Sequence, residues 1–276
     1  MIATVTSAEG NTATGWVFTE ATFTKTYSAN RNYLAYYGSC CRLSGQLQNN
    51  DNQRYRNETV VNIGNSNNSP VSTVPPIISI SVDQLNATFK VPVVDPDGDA
   101  LTYRLATCSE VITPGSSASC NPNPAGLTVS SDGTISFSTM GLTVGNLYTA
   151  MIVAEDGQSK TINDFMIEIV GQSTPPQFDY SVTPSNSTVL KVQPGELVDF
   201  NVNALDVDPN STVTLSAIGL PDNAIFNVAG PTNPVQSSFS WTPSNSDLGV
   251  AVINFIATDN NGVQSFSSVS VIVSLD

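Results

Sequence analysis

The chain has 276 residues, 40% of them hydrophobic and only 12% charged, and a formal net charge of −14. Such an acidic surface repels phosphate backbones and anionic lipid and favours cations such as Ca²⁺. Histidine is absent, which excludes Ser-His-Asp and Cys-His catalysis and every zinc site built on imidazole.

The length suits two or three domains of about 100 residues. No run of about 18 apolar residues exists to span a membrane as a helix. The first residues, MIATVTSAEG, lack a basic and an apolar region and are not expected to be a signal peptide. Trp16 to Tyr27 alternates over twelve residues and predicts one long strand or a hairpin. Trp16 and Phe18, with Tyr27, Tyr33, Tyr36 and Tyr37, could form an aromatic platform for sugar rings, the alternative being core packing for half of them. Arg31, Arg42, Arg54 and Arg56 make this region the positive end of an acidic chain. That predicts a head-to-tail contact with another copy, weakened by salt. The Asn-rich stretch Gln46–Asn52 reads as a loop, and Asn57–Ile63 as a strand. Residues 1–74 are expected to be an N-terminal β region, a partial sandwich or one completed by a partner.

Cys40 and Cys41 are adjacent and either bridge each other or reach elsewhere. Cys108 and Cys120 share a Ser/Pro/Gly-rich loop that a disulfide would close. None of the four forms a C-x-x-C metal pattern. Bridges imply an oxidising compartment; the alternative is four reduced thiols in the cytosol. Asn57, Asn67, Asn86, Asn186 and Asn210 head N-glycosylation tripeptides, should the source be eukaryotic.

Beyond residue 74 the chain resembles itself at a spacing of about one hundred residues. Pro75-Pro76 recurs as Pro175-Pro176. Asp95-Pro-Asp-Gly-Asp99 and Asp206-Val-Asp-Pro-Asn210 each precede an alternating segment, Leu101–Leu105 and Val213–Ala217. Pro124–Val129 matches Pro221–Phe226, and Asp132–Ser138 matches Ser237–Pro243. Each copy closes with a long two-strand unit, ending at Val170 and Val273. Short period-two segments between Gly, Pro, Asn and Asp turns predict an all-β fold of β-sandwiches with essentially no helix, divided at 75–172 and 173–276. Trp241 is expected in a core.

Asp95, Asp97 and Asp99 do not make an EF-hand, because Gly98 is at the fourth loop position and Ala106 at the twelfth. A catalytic carboxylate pair has no accompanying substrate subsites. Two readings remain: calcium, or Asp and Asn capping their own turns with Gly98 at positive φ.

The stretches DPDGDALTYRL, PAGLTV, DGTISF and YTAMIVAEDG, with SFSWTPSNSDLG and INFIATDNNG in the second copy, resemble cadherin-like and immunoglobulin-like modules of large secreted and cell-surface proteins. The resemblance covers about residues 75–276; residues 1–74 match no family by eye. It implies tandem sandwiches in which the turns after the second and sixth strands meet at one end. Asp95 and Asp97 would then lie near Asp156, and Asp206 and Asp208 near Asp259, each cluster holding Ca²⁺, with Asp99 a further candidate ligand. The linkers SPVSTVPP and GQSTPP carry no acid; Glu58, Asp83 and Glu110 are substitutes by position only. The function implied is extracellular, structural or adhesive, and not enzymatic: a calcium-stiffened rod, filament or surface-array subunit. Its partners would be other copies, neighbouring modules, glycans or a cell-surface protein, with no nucleic acid and no membrane insertion. The alternative is a carbohydrate-binding accessory segment of a secreted enzyme or adhesin.

Overall fold

The computed structural model describes residues 24–64, 67–112 and 120–275 with their side chains, and residues 4–11 and 16–22 as backbone alone. Runs of β-branched and aromatic residues broken by Gly, Pro, Asn and Asp become strands and tight turns. The chain opens with two hairpins, β1 (Thr4–Asn11) with β2 (Trp16–Thr22), and β3 (Asn32–Ser39) with β4 (Tyr55–Asn62). Of the two forms expected for Trp16–Tyr27, the hairpin occurs; β2 ends at Thr22 and residues 24–31 hold no strand.

The middle unit follows: β5 (Val71–Ser72), β6 (Ile77–Ser81), β7 (Ala87–Lys90), β8 (Val93–Val94), β9 (Thr102–Leu105), α1 (Cys108–Val111), β10 (Thr128–Val129), β11 (Thr134–Phe137), β12 (Leu147–Glu155) and β13 (Lys160–Val170). One sheet runs β9-β12-β13 with β6 parallel to β13; the facing sheet runs β7-β11-β10. The last unit comprises β14 (Gln177–Phe178), β15 (Thr188–Val192), β16 (Val198–Leu205), β17 (Val213–Ile218), β18 (Ile225–Phe226), β19 (Ala229–Thr232), β20 (Val235–Trp241), β21 (Gly249–Asp259) and β22 (Gln264–Val273). Its sheets run β15-β22-β21-β17-β19, with β15 parallel to β22, and β14-β16-β20-β18. The two units share one wiring: a long hairpin of the last two strands, flanked on one side by an early strand running parallel to the last and on the other by the strand that follows the acidic turn. This is an immunoglobulin-like and cadherin-like arrangement. The cores lie between the sheets, around Phe89, Phe137 and Phe165 in one unit and Phe239, Trp241 and Phe255 in the other.

β12 departs from the one-face burial that alternation predicts. Ala150 and Ile152 point into the sandwich, while Met151 and Val153 are also fully buried, in a second layer with Val111 and Ile162. That layer exists because residues 31–62 belong to the same sheet. β4 pairs with β13 through Val60↔Lys160 and Thr59↔Thr161. The loop after β3 then crosses the outer face to the other side of β12, where Leu47 bridges Leu147. Arg42 clamps the crossing with two hydrogen bonds to Asp164, at 2.7 and 3.2 Å.

Asn49 stands in for a strand at that far edge. Its side-chain carbonyl accepts from Thr149 N–H at 2.8 Å, and its amide donates to Thr149 C=O at 3.0 Å. Thr149 is fully buried. Asn49→Ala leaves both backbone groups unpaired, and each such group costs about 1–3 kcal/mol. Urea unfolding is therefore expected to show a loss of about 2–3 kcal/mol; an unchanged midpoint would mean the sheet edge is held by other means.

Helix is confined to two single turns among the described residues, in line with the expectation of essentially none. α1 is one turn, started by Glu110, whose carboxylate accepts from Thr107 N–H at 2.8 Å, and tied by the Cys108–Cys120 disulfide. Asn245–Asp247 forms a single 3-10 turn. Cys40 and Cys41 bridge each other, and both are exposed.

The last unit packs against the side of the middle one. Phe266 lies 6.5 Å from Phe89, Gln264 accepts from Ser79 N–H at 2.9 Å, and a Cβ on Gly219 would strike Thr73.

Candidate functional site

An Asp two residues before another Asp folds back on itself, because its carboxylate can accept backbone N–H groups just ahead of it. Asp95 Oδ1 accepts from Asp97 N at 2.9 Å and Asp99 N at 3.1 Å, and Gly98 takes φ 84°. Asp206 Oδ1 accepts from Asp208 N at 2.7 Å, with Asn210 at φ 65°. The capping reading is therefore correct for one oxygen of each leading aspartate. The other oxygen tells against capping alone. Asp95 and Asp206 are 3% and 6% exposed, and the Oδ2 of each is buried with no partner among the described residues.

The second aspartate of each turn grips the incoming linker. Asp97 accepts from the backbone N and the side-chain amide of Asn68, at 2.6 and 2.8 Å. Asp208 accepts from Thr174 N at 2.7 Å, Thr174 Oγ1 at 3.0 Å and Ser173 Oγ at 3.2 Å. The turn between the last two strands of each unit supplies a third carboxylate. Asp156 accepts from Gln158 N and Ser159 N and from the Asn67 amide at 3.0 Å. Asp259 accepts from Asn261 N and Val263 N, each at 2.8 Å, while Asn261 donates to Ser173 Oγ. Asp259 is 5% exposed, and its Oδ2 is a second buried oxygen at that joint with no partner among the described residues. Both joints thus have the same parts: a self-capped buried Asp, a linker-gripping Asp, and a hairpin-turn Asp.

The electrostatics agree with the geometry. Burial raises the Asp95 carboxyl above its ordinary range; the N–H groups of Asp99 and Asp97 pull it down, and the charges of Asp156 and Asp97 push it further up. Asp206 is raised by burial, against the Asp208 N–H, with Asp208 and Asp259 adding repulsion. Asp156 goes the other way: burial opposes ionisation, but the hydrogen bonds from Ser159, Asn67 and Gln158 outweigh it and lower its pKa. Asp208 is lowered by the Thr174 and Ser173 hydrogen bonds. Like charges held close, with bare buried oxygens between them, are what a hard divalent cation offsets.

Asp95, Asp97 and Asp99 each place one carboxylate oxygen within 4.8 Å of the others, and among the described residues no other such group occurs. The carboxylates at Asp206, Asp208 and Asp259 interact by charge without converging so closely. Glu58, Asp83 and Glu110 take no part in either cluster. Glu58 and Glu110 are ion-paired elsewhere, and Asp83 accepts from Gly141 N. In place of linker acids, the linkers contribute Asn67, Asn68, Ser173 and Thr174. Sequence reasoning missed these four, since their types are common throughout the chain.

The aromatic platform resolves differently. The side chains of Trp16 and Phe18 lie outside the described residues. The Tyr33 ring has Tyr27 at 4.1 Å and the Arg31 guanidinium at 4.8 Å, and Arg56 lies over Tyr36. These contacts occupy part of the Tyr33 and Tyr36 rings. Tyr36 and Tyr37 are nonetheless 59% and 57% exposed beside a groove of about 1060 Å³. Of the glycosylation candidates, Asn86, Asn186 and Asn210 are exposed and Asn57 half-buried. Asn67 is corrected: it is buried and its amide nitrogen bonds Asp156 and Ser159, so it cannot take a glycan in the folded chain.

Fold and joints together define a chain of immunoglobulin-like and cadherin-like sandwich units. Residues 1–64, which sequence reasoning left unassigned, match the family model described as "Integrin beta-like protein A-E, N-terminal". The chain is 26% identical over 306 residues to "Integrin beta-like protein A" of Dictyostelium discoideum, covering 92% of this chain and 15% of that protein. It is also 26% identical over 316 residues to "Integrin beta-like protein E" of the same organism, covering 96% of this chain and 15% of that protein. The chain therefore spans about 15% of the length of these relatives. A structural comparison with Drosophila N-cadherin EC1-3 gives a TM-score of 0.32 at 15% identity, covering 91% of this chain and 92% of that one.

Proposed function

We propose that this chain is a non-enzymatic, adhesion-type segment of an extracellular or cell-surface protein, and that calcium ties its linkers to its sandwich ends. One observation carries the calcium reading: at both joints buried aspartate oxygens lack a partner among the described residues, beside a second aspartate that grips the linker. The residues that would hold the ion are Asp95, Asp97, Asp99 and Asp156 at the first joint and Asp206, Asp208 and Asp259 at the second; of these, Asp95, Asp97 and Asp99 converge within 4.8 Å of one another. A bound cation would supply charge neutralisation to these groups and stabilise the folded form by linkage. The names of the relatives and the two disulfides support an adhesive, oxidising setting. The absence of histidine supports a non-enzymatic role. No described helix is long and apolar enough to cross a membrane.

The contacts of Phe266 and Gln264 with the middle unit favour a compact pair of sandwiches over an extended rod. Direct calcium titration of the purified chain tests the reading: saturable binding is expected, and none to millimolar free ion would refute it.

A further inference from the structure

The middle and last units do not close fully on each other. A cleft of about 500 Å³ lies between them, within the roughly 300–1,000 Å³ typical of small-ligand sites. Thr88, Phe89 and Lys90 line it from the middle unit, and Phe178, Tyr180 and Phe266 from the last. Phe178 and Tyr180 stack with ring centres 6.4 Å apart. Tyr180 is 47% exposed, and Thr88 and Gln177 in the same lining are exposed too. No carboxylate lines this cleft, on a chain of net charge −14. Ring faces bordered by hydroxyl and amide groups suit a ligand divided in the same way. A sugar is such a ligand: its C–H face packs on rings while its hydroxyls bond polar neighbours.

The wall from the last unit also holds Asn186, which heads the tripeptide Asn186-Ser187-Thr188. Its side chain extends the pairing of β15 with β22. Asn186 Oδ1 accepts from Ser268 N–H at 2.9 Å and from Ser268 Oγ at 3.1 Å, while Ser187 N donates to Ser268 C=O at 2.9 Å. Oδ1 is thus engaged, and among the described residues none accepts from Nδ2. An N-linked sugar replaces one hydrogen of Nδ2 and leaves Oδ1 an acceptor, so both Ser268 bonds survive the modification. Asn67 has the reverse arrangement, with its buried Nδ2 donating. Asn86 and Asn210, the other exposed candidates, lie outside the lining of the cleft.

We propose that Asn186 carries an N-linked glycan whose first sugars lie in this cleft, packed on Tyr180 and bridging the two units. This rests on the extracellular reading above, because the donor, an oligosaccharide on a polyprenyl diphosphate, is met on the secretory route. Nδ2 forms a bond to the sugar C1, the C1–O bond to the diphosphate breaks, and the leaving polyprenyl diphosphate takes up the amide proton. Covalent attachment selects the occupant. It holds the sugar at the wall at high effective concentration, so weak ring contacts suffice to seat it. The root is also held in place, by Ser268 on one side and by Thr188 Oγ1, which donates to Ser185 C=O at 2.6 Å, on the other.

Glycopeptide mapping of the full chain, secreted by a eukaryotic cell, tests the attachment, and hydrogen exchange tests the seat. A glycan is expected on Asn186. Thr188→Ser keeps the tripeptide, whereas Thr188→Val destroys it and leaves the Asn186 amide in place. In secreted protein, amides of β7 and of residues 178–181 are expected to exchange several-fold faster in Thr188→Val than in Thr188→Ser. The same two variants, exported to the periplasm of bacteria that lack N-glycosylation, are expected not to differ. Thr212→Ala, which removes the Asn210 tripeptide, is expected to leave both segments as in the parent. An unmodified Asn186 would overturn the proposal. Glycan at Asn86 or Asn210 would then leave the extracellular reading standing, and glycan at no site would count against that reading as well. A modified Asn186 with equal exchange in the two secreted variants would overturn the proposal equally. So would the same gap in bacterial protein, which would trace the change to the lost hydroxyl.

Discussion

Asp206→Asn is expected to raise, or leave unchanged, the melting temperature of the metal-free protein while abolishing the calcium response of the last sandwich. The substitution keeps an acceptor for Asp208 N–H and removes a charge that burial and two neighbouring carboxylates disfavour. With free calcium a hundredfold above its dissociation constant, a site that binds only the folded state adds about 2.7 kcal/mol. A chain of several sandwiches need not unfold in one step, so the response is read on the transition of the last unit. The middle unit, with Asp95 and Asp156 intact, should keep its own shift. The pH dependence has a definite sign. Asp95 and Asp206 are raised in the folded state, so their contribution is fully present below the unfolded aspartate value, about 3.9, and is lost as pH rises through the folded values. Metal-free protein should therefore gain from these two groups as pH falls from neutral toward about 4, and saturating calcium should reverse that slope. If Asp206→Asn melted well below the parent without calcium and still responded to it, the buried oxygen would not be a metal ligand.

Glu110→Ala is expected to cost about 3 kcal/mol and to loosen β3 and β4 before the rest of the sheet. Glu110 is buried in the middle of a row of alternating charges: Arg56, Glu58, Lys160, Glu110, Arg104 and Glu155. It accepts from Arg104 at 2.7 and 2.9 Å, from Lys160 at 2.5 Å, and from Thr107 at the start of α1. Breaking a buried pair by removing one partner costs about 3–5 kcal/mol, and the part-exposed Arg104 argues for the lower end. Lys160 also holds Glu58 of β4, so the loss should spread to the contact between β4 and β13. Arg104 first, and Lys160 and Thr107 with it, hold the Glu110 carboxyl well below its usual range against burial. Its contribution is therefore present above the unfolded glutamate value, about 4.3, and is lost only as pH falls through the much lower folded value. Urea titration with hydrogen exchange checks the effect. A change below about 1 kcal/mol would make the row a surface ornament of the kind that stabilises little.

The sandwich strands were legible because burial there follows alternation: Phe165, Ile167 and Ile169 read as one face, and they are one face. The paired aspartates of each turn were legible from spacing, since D-x-D places two carboxylates on one turn; the third, Asp156 or Asp259, was legible only through the cadherin-like resemblance. What was not legible depends on side chains acting as backbone. Asn49 replaces a strand residue, and Asn68 and Thr174 replace the expected linker acids; nothing in an Asn- and Thr-rich chain marks them out. The charge row was hidden for another reason. Its members come from three separated stretches, and Arg56 and Glu58 join the others only because β4 pairs with β13. That union also buries Met151 and Val153, which alternation alone assigns to solvent.

Isothermal titration of the calcium-stripped chain with Ca²⁺ at neutral pH probes the joints most directly. Saturable binding to both joints is expected, reduced to the first joint alone in Asp206→Asn and to the second alone in Asp95→Asn. Binding that is absent, or that ignores both substitutions, would contradict the claim that these buried carboxylates exist to hold a cation.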